Sequence, residues 1–122
     1  MRQTGILFLL LASAQVHAEK PSAIYQQCEQ AALSEYDVLA CIESETNRQD
    51  QRLNRNYHAA MQRIEAFRQA DLRKIQRLWI KYRDAKCDFF YHKHSGSGGL
   101  VDASQCRMEE TIQRADELEA LY

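Results

Sequence analysis

Between Pro21 and Gly96 the chain contains neither glycine nor proline, and that omission narrows its folding options more than any other feature. These two residues are the strongest interrupters of regular structure, so everything between them is free to be helix. Inside this stretch apolar residues recur at spacings of three, four or seven, and no segment shows the strict alternation of a half-buried strand. The expected class is all-α.

The pattern divides the chain further. A short helix is expected from about Ser22 to Leu33, with Pro21 tolerated at its start, followed by a turn over Ser34–Asp37. From Val38 onward, Leu39, Ile42, Thr46, Leu53, Tyr57, Ala60, Met61, Ile64 and Phe67 form one stripe of a long helix. Glu43, Arg48, Gln51, Arg55 and Arg63 fall off that stripe. Gln69 to Asp71 make a weak break, with Asp71 as N-cap of a third helix carrying Leu72, Ile75, Leu78, Trp79, Tyr82 and Phe89. This helix would fold back on the second as an antiparallel pair. The glycines at 96, 98 and 99 end it, and Asp102 followed by Gln105 reads as a capping box opening a fourth helix. Cys106 sits in the first turn of that helix, and Met108, Ile112, Ala115, Leu118 and Leu121 form its apolar face. The architecture implied is a small antiparallel bundle of about four helices.

The opening residues, MRQTGILFLLLASAQVHA, combine a basic start at Arg2, an apolar run from Ile6 to Ala12 and small residues at Val16 and Ala18. They read as a secretory signal peptide over residues 1–18. The run is shorter than the roughly 20 residues needed to span a bilayer, and no later segment is more apolar. The first cysteine is Cys28, so no lipidation cysteine follows the leader. Cleavage after Ala18 leaves one domain over residues 19–122, expected to be periplasmic or secreted.

Cys28, Cys41, Cys87 and Cys106 all lie in that exported part, and an even count in an oxidising compartment reads as disulfides. Three pairings exist. Cys28–Cys41 and Cys87–Cys106 are favoured because each closes a short loop around an expected helix boundary, and a loop of about 15 residues is worth about 3 kcal/mol. Zinc is disfavoured, since the sequence has no Cys-x-x-Cys pair.

Formal charge is −1, and one unit more acidic once Arg2 leaves with the leader. The charges are interleaved, without the polybasic or acidic blocks that mark nucleic-acid or membrane-surface partners.

The stretch KCDFFYHKHSGSGGLVDASQC, Cys87 to Cys106, holds the residues most suggestive of chemistry. His92, His94 and Asp88 could serve as a general base or as metal ligands, but histidines beside a loop are commonly polar surface, and no metal or other cofactor is expected. The SGSGG run lacks the strand-turn-helix setting of a nucleophile elbow. Glu109, Glu110, Asp84 and Asp88 are carboxylates of a kind any helix offers. The chain is therefore not expected to be an enzyme. Trp79 and Arg83 share a helix face and suit either a core position or an interface anchor. Phe89, Phe90 and Tyr91 cannot all face inward, so at least one borders the loop. A glycine-bearing loop with both ends fixed by a disulfide loses less entropy on binding, yet it is also what a plain helix connection looks like.

LNRNY (Leu53, Asn54, Tyr57), QRLWIKYRDAKC (Gln76, Trp79, Arg83, Asp84, Cys87), the glycine loop and C-x4-T-x2-R-x3-L (Cys106, Thr111, Arg114, Leu118) resemble the LprI-like lysozyme inhibitor family. Cys28 and Cys41 are similar to that family's upstream cysteines. The resemblance implies an exported helical protein whose partner is a lysozyme-type muramidase. On that reading a monomer meets its partner through Phe90, Tyr91, His92, Lys93, His94, Ser95, Gly96, Ser97, Gly98 and Gly99, and Arg83 and Asp84 hold the loop's base. The alternative is a cell-envelope accessory module whose motif residues only build the fold.

Overall fold

The computed structural model describes residues 20–121, so the leader lies outside the described residues. Four α-helices occupy them: α1 (Ala23–Ala31), α2 (Glu35–Arg63), α3 (Gln69–Asp88) and α4 (Gly96–Glu119). A 3-10 turn, Ala66–Arg68, joins α2 to α3.

Helix starts follow from side chains at the boundaries. Ser22 caps α1 by accepting from the Tyr25 N–H, and Ser34 caps α2 by accepting from the Asp37 N–H at 3.1 Å. Asp37 in return accepts from the Leu33 N–H at 3.0 Å. That backbone bond, with help from Ser34, holds the Asp37 carboxyl below its usual pKa. The reciprocal pair satisfies donors that a helix start leaves open, so α2 begins at Glu35 and absorbs most of the expected turn over Ser34–Asp37. At its other end α2 stops at Arg63, where Ile64 turns extended. Phe67 therefore falls beyond the stripe it was assigned to and is 77 % exposed. The break lies at Ile64–Arg68 instead of Gln69–Asp71, and Asp71 sits inside the first turn of α3. Gln69 donates to the Met61 carbonyl at 2.9 Å, satisfying an acceptor of the last turn of α2.

The fourth helix starts at Gly96, nearly two turns before the Asp102 capping box expected to open it. Local propensity is overridden here by packing. Ala103 and Gly99 are buried and Val101 packs on the core, so extending the helix covers apolar surface that a glycine loop would leave wet.

Hydrogen-bond register gives the helix directions. Arg52 donates to the Ile112 carbonyl (3.3 Å), Asn56 to that of Ala115 (2.9 Å) and Arg63 to that of Leu118 (3.0 Å). Both chains advance together, so α2 and α4 are parallel. Consecutive helices alternate: Ser22 and Cys28 of α1 meet Glu45 and Cys41 of α2, while Gln76 and Cys87 of α3 meet Arg114 and Cys106 of α4. α2 and α3 are thus opposed in direction, but the expected frame of α2 against α3 is corrected. The main packing is α2 on α4, and α3 rests chiefly on α4.

Two apolar clusters fill the bundle. Tyr25, Cys41, Ile42, Met108 and Ile112 form one. Leu53, Ala60, Leu72, Ala115 and Leu118 form the other, with Tyr57, Met61, Ile64, Trp79 and Leu121 packed around it. A fully buried Leu such as Leu118 contributes about 1.5–3 kcal/mol.

Along α2 between these clusters runs a polar chain. The Glu45 carboxylate is fully buried and accepts from the Ser22 N–H (2.9 Å), Ser22 Oγ (2.6 Å), Gln49 Nε2 (2.7 Å) and Arg48 Nε (3.0 Å). Gln49 Oε1 accepts from Arg52 Nε, and Arg52 reaches Asp116 of α4 at 2.5 Å. Desolvation pushes the Glu45 carboxyl up, but the hydrogen bonds from Gln49, Ser22 and Arg48 together outweigh it and hold the pKa at about 2. One carboxylate therefore pins the start of α1 to α2, and its neighbours extend the link to α4.

Candidate functional site

The residues singled out in the sequence separate into two groups. Leu53, Thr111 and Leu118 are buried, with Thr111 Oγ donating to the Arg107 carbonyl at 2.7 Å. Tyr57 packs on the second cluster, whereas Asn54 is exposed and reaches Asp50 at 3.4 Å. Gln76, Trp79, Arg83 and Arg114 come together on the α3–α4 seam. The Arg83 guanidinium lies 5.0 Å from the Trp79 ring centroid and that of Arg114 6.0 Å. Arg114, largely buried, donates to Gln76 Oε1 (2.9 Å) and to Glu117 (2.9 Å). Arg83 also pairs with Asp84 at 3.0 Å. Arg83 braces the indole from within α3, while Arg114, through Trp79 and Gln76, holds α3 against α4. These groups build the seam; they converge on no common point with the 90–99 segment.

That segment follows directly on the C-terminal end of α3. Cys87, fully buried, is joined to Cys106, with Cα atoms 5.4 Å apart; Cys28 and Cys41 are joined at 5.7 Å. Lys86–Glu110 and Arg107–Asp88 ion pairs flank the first of these links. Between Asp88 and Gly96 the chain turns back through Phe89–Ser95 alone. The Phe90 and Tyr91 N–H groups bond back to Cys87 and Asp88. Ser95 then closes the turn: its N–H donates to the His92 carbonyl at 2.7 Å, its Oγ donates to the same carbonyl at 2.6 Å, and that Oγ accepts from the His92 N–H at 2.9 Å.

Gly96, Ser97, Gly98 and Gly99, expected as a loose loop, form the first turn of α4. Gly96 has φ +66°, a conformation favouring glycine. A Cβ on Gly99 would lie 2.1 Å from Ser95 Oγ and 2.9 Å from the Phe90 carbonyl oxygen. The glycines thus permit a tight turn where freedom was expected. His92, Lys93, His94 and Ser95 are exposed, as are Phe90 and Tyr91. The His92 and His94 rings stand 5.1 Å apart, with His92 Nδ1 accepting from the His94 N–H at 3.3 Å. Among the described residues no cluster of three or more His, Cys, Asp or Glu is placed to hold a metal.

Two recesses adjoin this end. One, of about 330 Å³, lies between α2 and α4 and is lined by Leu39, Ile42, Glu43, Thr46, Leu100 and Arg107 among others. A smaller one, about 250 Å³, sits beside Phe90 with Asp102, Gln105 and Glu109. Exposed aromatics and a braced turn beside carboxylates can make a protein contact.

Sequence reasoning missed Glu45, Asn56 and Arg63. Charged or amide residues on a helix ordinarily read as solvated, and their partners, Ser22, Ala115 and Leu118, lie too far along the chain to be seen in a local window.

The family model described as "Lysozyme inhibitor LprI" matches residues 26–118. An uncharacterized protein of Rhizobium meliloti (strain 1021) is 32 % identical over 131 aligned positions, which cover 96 % of this chain and 91 % of that protein. No solved structure matches.

Proposed function

The chain belongs to the LprI lysozyme inhibitor family, and from that premise we propose that it is an exported inhibitor of lysozyme-type muramidases, acting as a monomer by direct protein contact and not as an enzyme. The single observation that carries this reading is the family match across residues 26–118, which runs from within α1 to the last turn of α4. Both disulfides suit an oxidising compartment, in keeping with the leader expected over residues 1–18.

The contact surface proposed is the Phe90–Ser95 turn with the first turn of α4. Its ends are held by the Cys87–Cys106 link and the Ser95 bonds, so little ordering is left to occur on binding. Phe90 supplies exposed apolar area, and Tyr91 is a residue type enriched at hot spots. Glu43, Asp102 and Glu109 in the adjoining recesses favour a cationic partner such as a lysozyme.

The test is turbidimetric lysis of peptidoglycan by several lysozymes, titrated with the purified chain. Inhibition of at least one, with a complex on a sizing column, is expected. Replacing His92, Lys93 and His94 together by Ala should weaken inhibition tenfold or more with unchanged helical circular dichroism. Full potency in that variant moves the contact surface elsewhere, and no inhibition of any lysozyme removes the functional reading.

A further inference from the structure

We propose that the outer face of α3 is a docking surface for an anionic lipid bilayer. At 3.6 residues per turn, Ile75, Leu78, Tyr82 and Phe89 fall within a sector of about 60°, turned away from the residues α3 buries, Leu72, Gln76 and Cys87. Ile75, Leu78 and Tyr82 are 51 %, 55 % and 58 % exposed, and Phe89 is 86 % exposed. Lys74, Arg77 and Lys81 occupy the adjoining sector. All three are exposed, and none of them is in an ion pair among the described residues. Of the nearby acids, Asp84 is paired with Arg83 and Asp88 with Arg107, and Asp71 stands at the amino-terminal end of the stripe. There the stripe opens into a groove of about 450 Å³, whose apolar walls, Leu72, Ile75, Leu78 and Leu121, are edged by two cations, Arg68 and Lys74, and one acid, Asp71.

Charge decides what can cover this face. A second copy docked α3 against α3 would set Lys74, Arg77 and Lys81 near their own counterparts, and like charges oppose that. A cationic lysozyme is disfavoured for the same reason, so the face is separate from the proposed inhibitory end. An anionic surface is complementary. A bilayer fits better than an acidic protein because the apolar side chains project from a rod about 30 Å long. Interfacial helices use this arrangement, sinking apolar side chains into the headgroup boundary while Lys and Arg flank them. No helix among the described residues is long and apolar enough to cross a membrane, so the contact is with its surface.

The experiment is co-sedimentation of the disulfide-intact chain with vesicles of phosphatidylcholine containing phosphatidylglycerol, and with phosphatidylcholine alone. Binding to the anionic vesicles only, weakening as salt rises, is expected. The triple variant Lys74→Glu, Arg77→Glu, Lys81→Glu should cut partitioning more than roughly 100-fold, given about fivefold per basic residue near such a surface. Leu78→Ser with Tyr82→Ser should cut it roughly tenfold, and both variants should keep the helical circular dichroism and any lysozyme inhibition. No binding to anionic vesicles, equal binding to neutral ones, or indifference to the triple reversal overturns the proposal. So does vesicle binding left unchanged by Leu78→Ser with Tyr82→Ser, which would assign the face to an acidic protein, or a concentration-dependent dimer abolished by Leu78→Ser.

Discussion

Helices α3 and α4 carry similar apolar spacing, and the molecule treats them in opposite ways. Met108, Ile112, Ala115 and Leu118 of α4 are all buried, the first two against α1 and α2 and the last two between α2 and α3. Ile75, Leu78 and Tyr82 of α3 are each more than half exposed. The difference is position in the bundle. α4 is the central helix, touched by both long neighbours, whereas α3 meets α4 along one side only. Periodicity marks a face as apolar; it does not supply the neighbour that covers it.

The comparison is most easily broken at its buried side. Leu118→Ala should destabilise by about 2–5 kcal/mol, because the second cluster cannot close over the cavity, and denaturant unfolding monitored by circular dichroism measures it. Next in size is the link that ties α3 to α4 at the far end. Cys87→Ser with Cys106→Ser should cost about 3 kcal/mol for a loop of this length. If α3 is held mainly through that link, hydrogen exchange in α3 should rise far more than in α4.

Third is the buried carboxylate. Glu45 has a folded pKa of about 2 against an ordinary 4.5. Its depressed value means that its stabilisation is fully present above pH 4.5 and is lost as pH falls toward 2, amounting to about 3 kcal/mol on the linkage argument. Glu45→Gln should lower stability at pH 7 and flatten the acid limb between pH 5 and 2, as acid titration of unfolding will show; an unchanged limb would place the acid sensitivity elsewhere. Gly99→Ala should follow at about 1–3 kcal/mol, since the added carbon meets Ser95 and the Phe90 carbonyl. The loss should appear as fraying of the first turn of α4. Smallest is Leu78→Ala, expected within about 0.5 kcal/mol because the side chain is already solvated. A cost above 2 kcal/mol would contradict the exposed reading of α3.

Several features were legible in the residues alone. The all-α class follows from the breaker-free stretch, and the bundle from the amphipathic stripes. The motif residues Trp79, Arg83 and Arg114 do meet, as a spacing of four between the first two allows. Boundaries were less legible. Ser34 and Asp37 carried the signal for an N-terminus of α2, but the same pair also reads as a turn, because both outcomes use the same side-chain-to-backbone bonds. The glycines misled for a related reason: Gly tolerates a helix when burial rewards it, and the burial of Gly99 and Ala103 is a long-range fact. The basic sector of α3 was hidden for a third reason. Lys74, Arg77 and Lys81 are interleaved with other residues along the chain and gather only once the phase of the helix and its buried side are known.

By itself the sequence determined that this chain is helical, where its apolar stripes run and that four cysteines are spaced for local links, because caps, breakers and a 3.6-residue period act within a few residues. Only the tertiary structure decided that α2 lies parallel to α4, that Glu45 is buried, and that the stripe of α4 is covered while that of α3 faces solvent. Those outcomes depend on contacts between residues some 20 to 60 positions apart, such as Ser22 with Glu45 and Arg52 with Ile112. A helical period repeats too quickly to encode them.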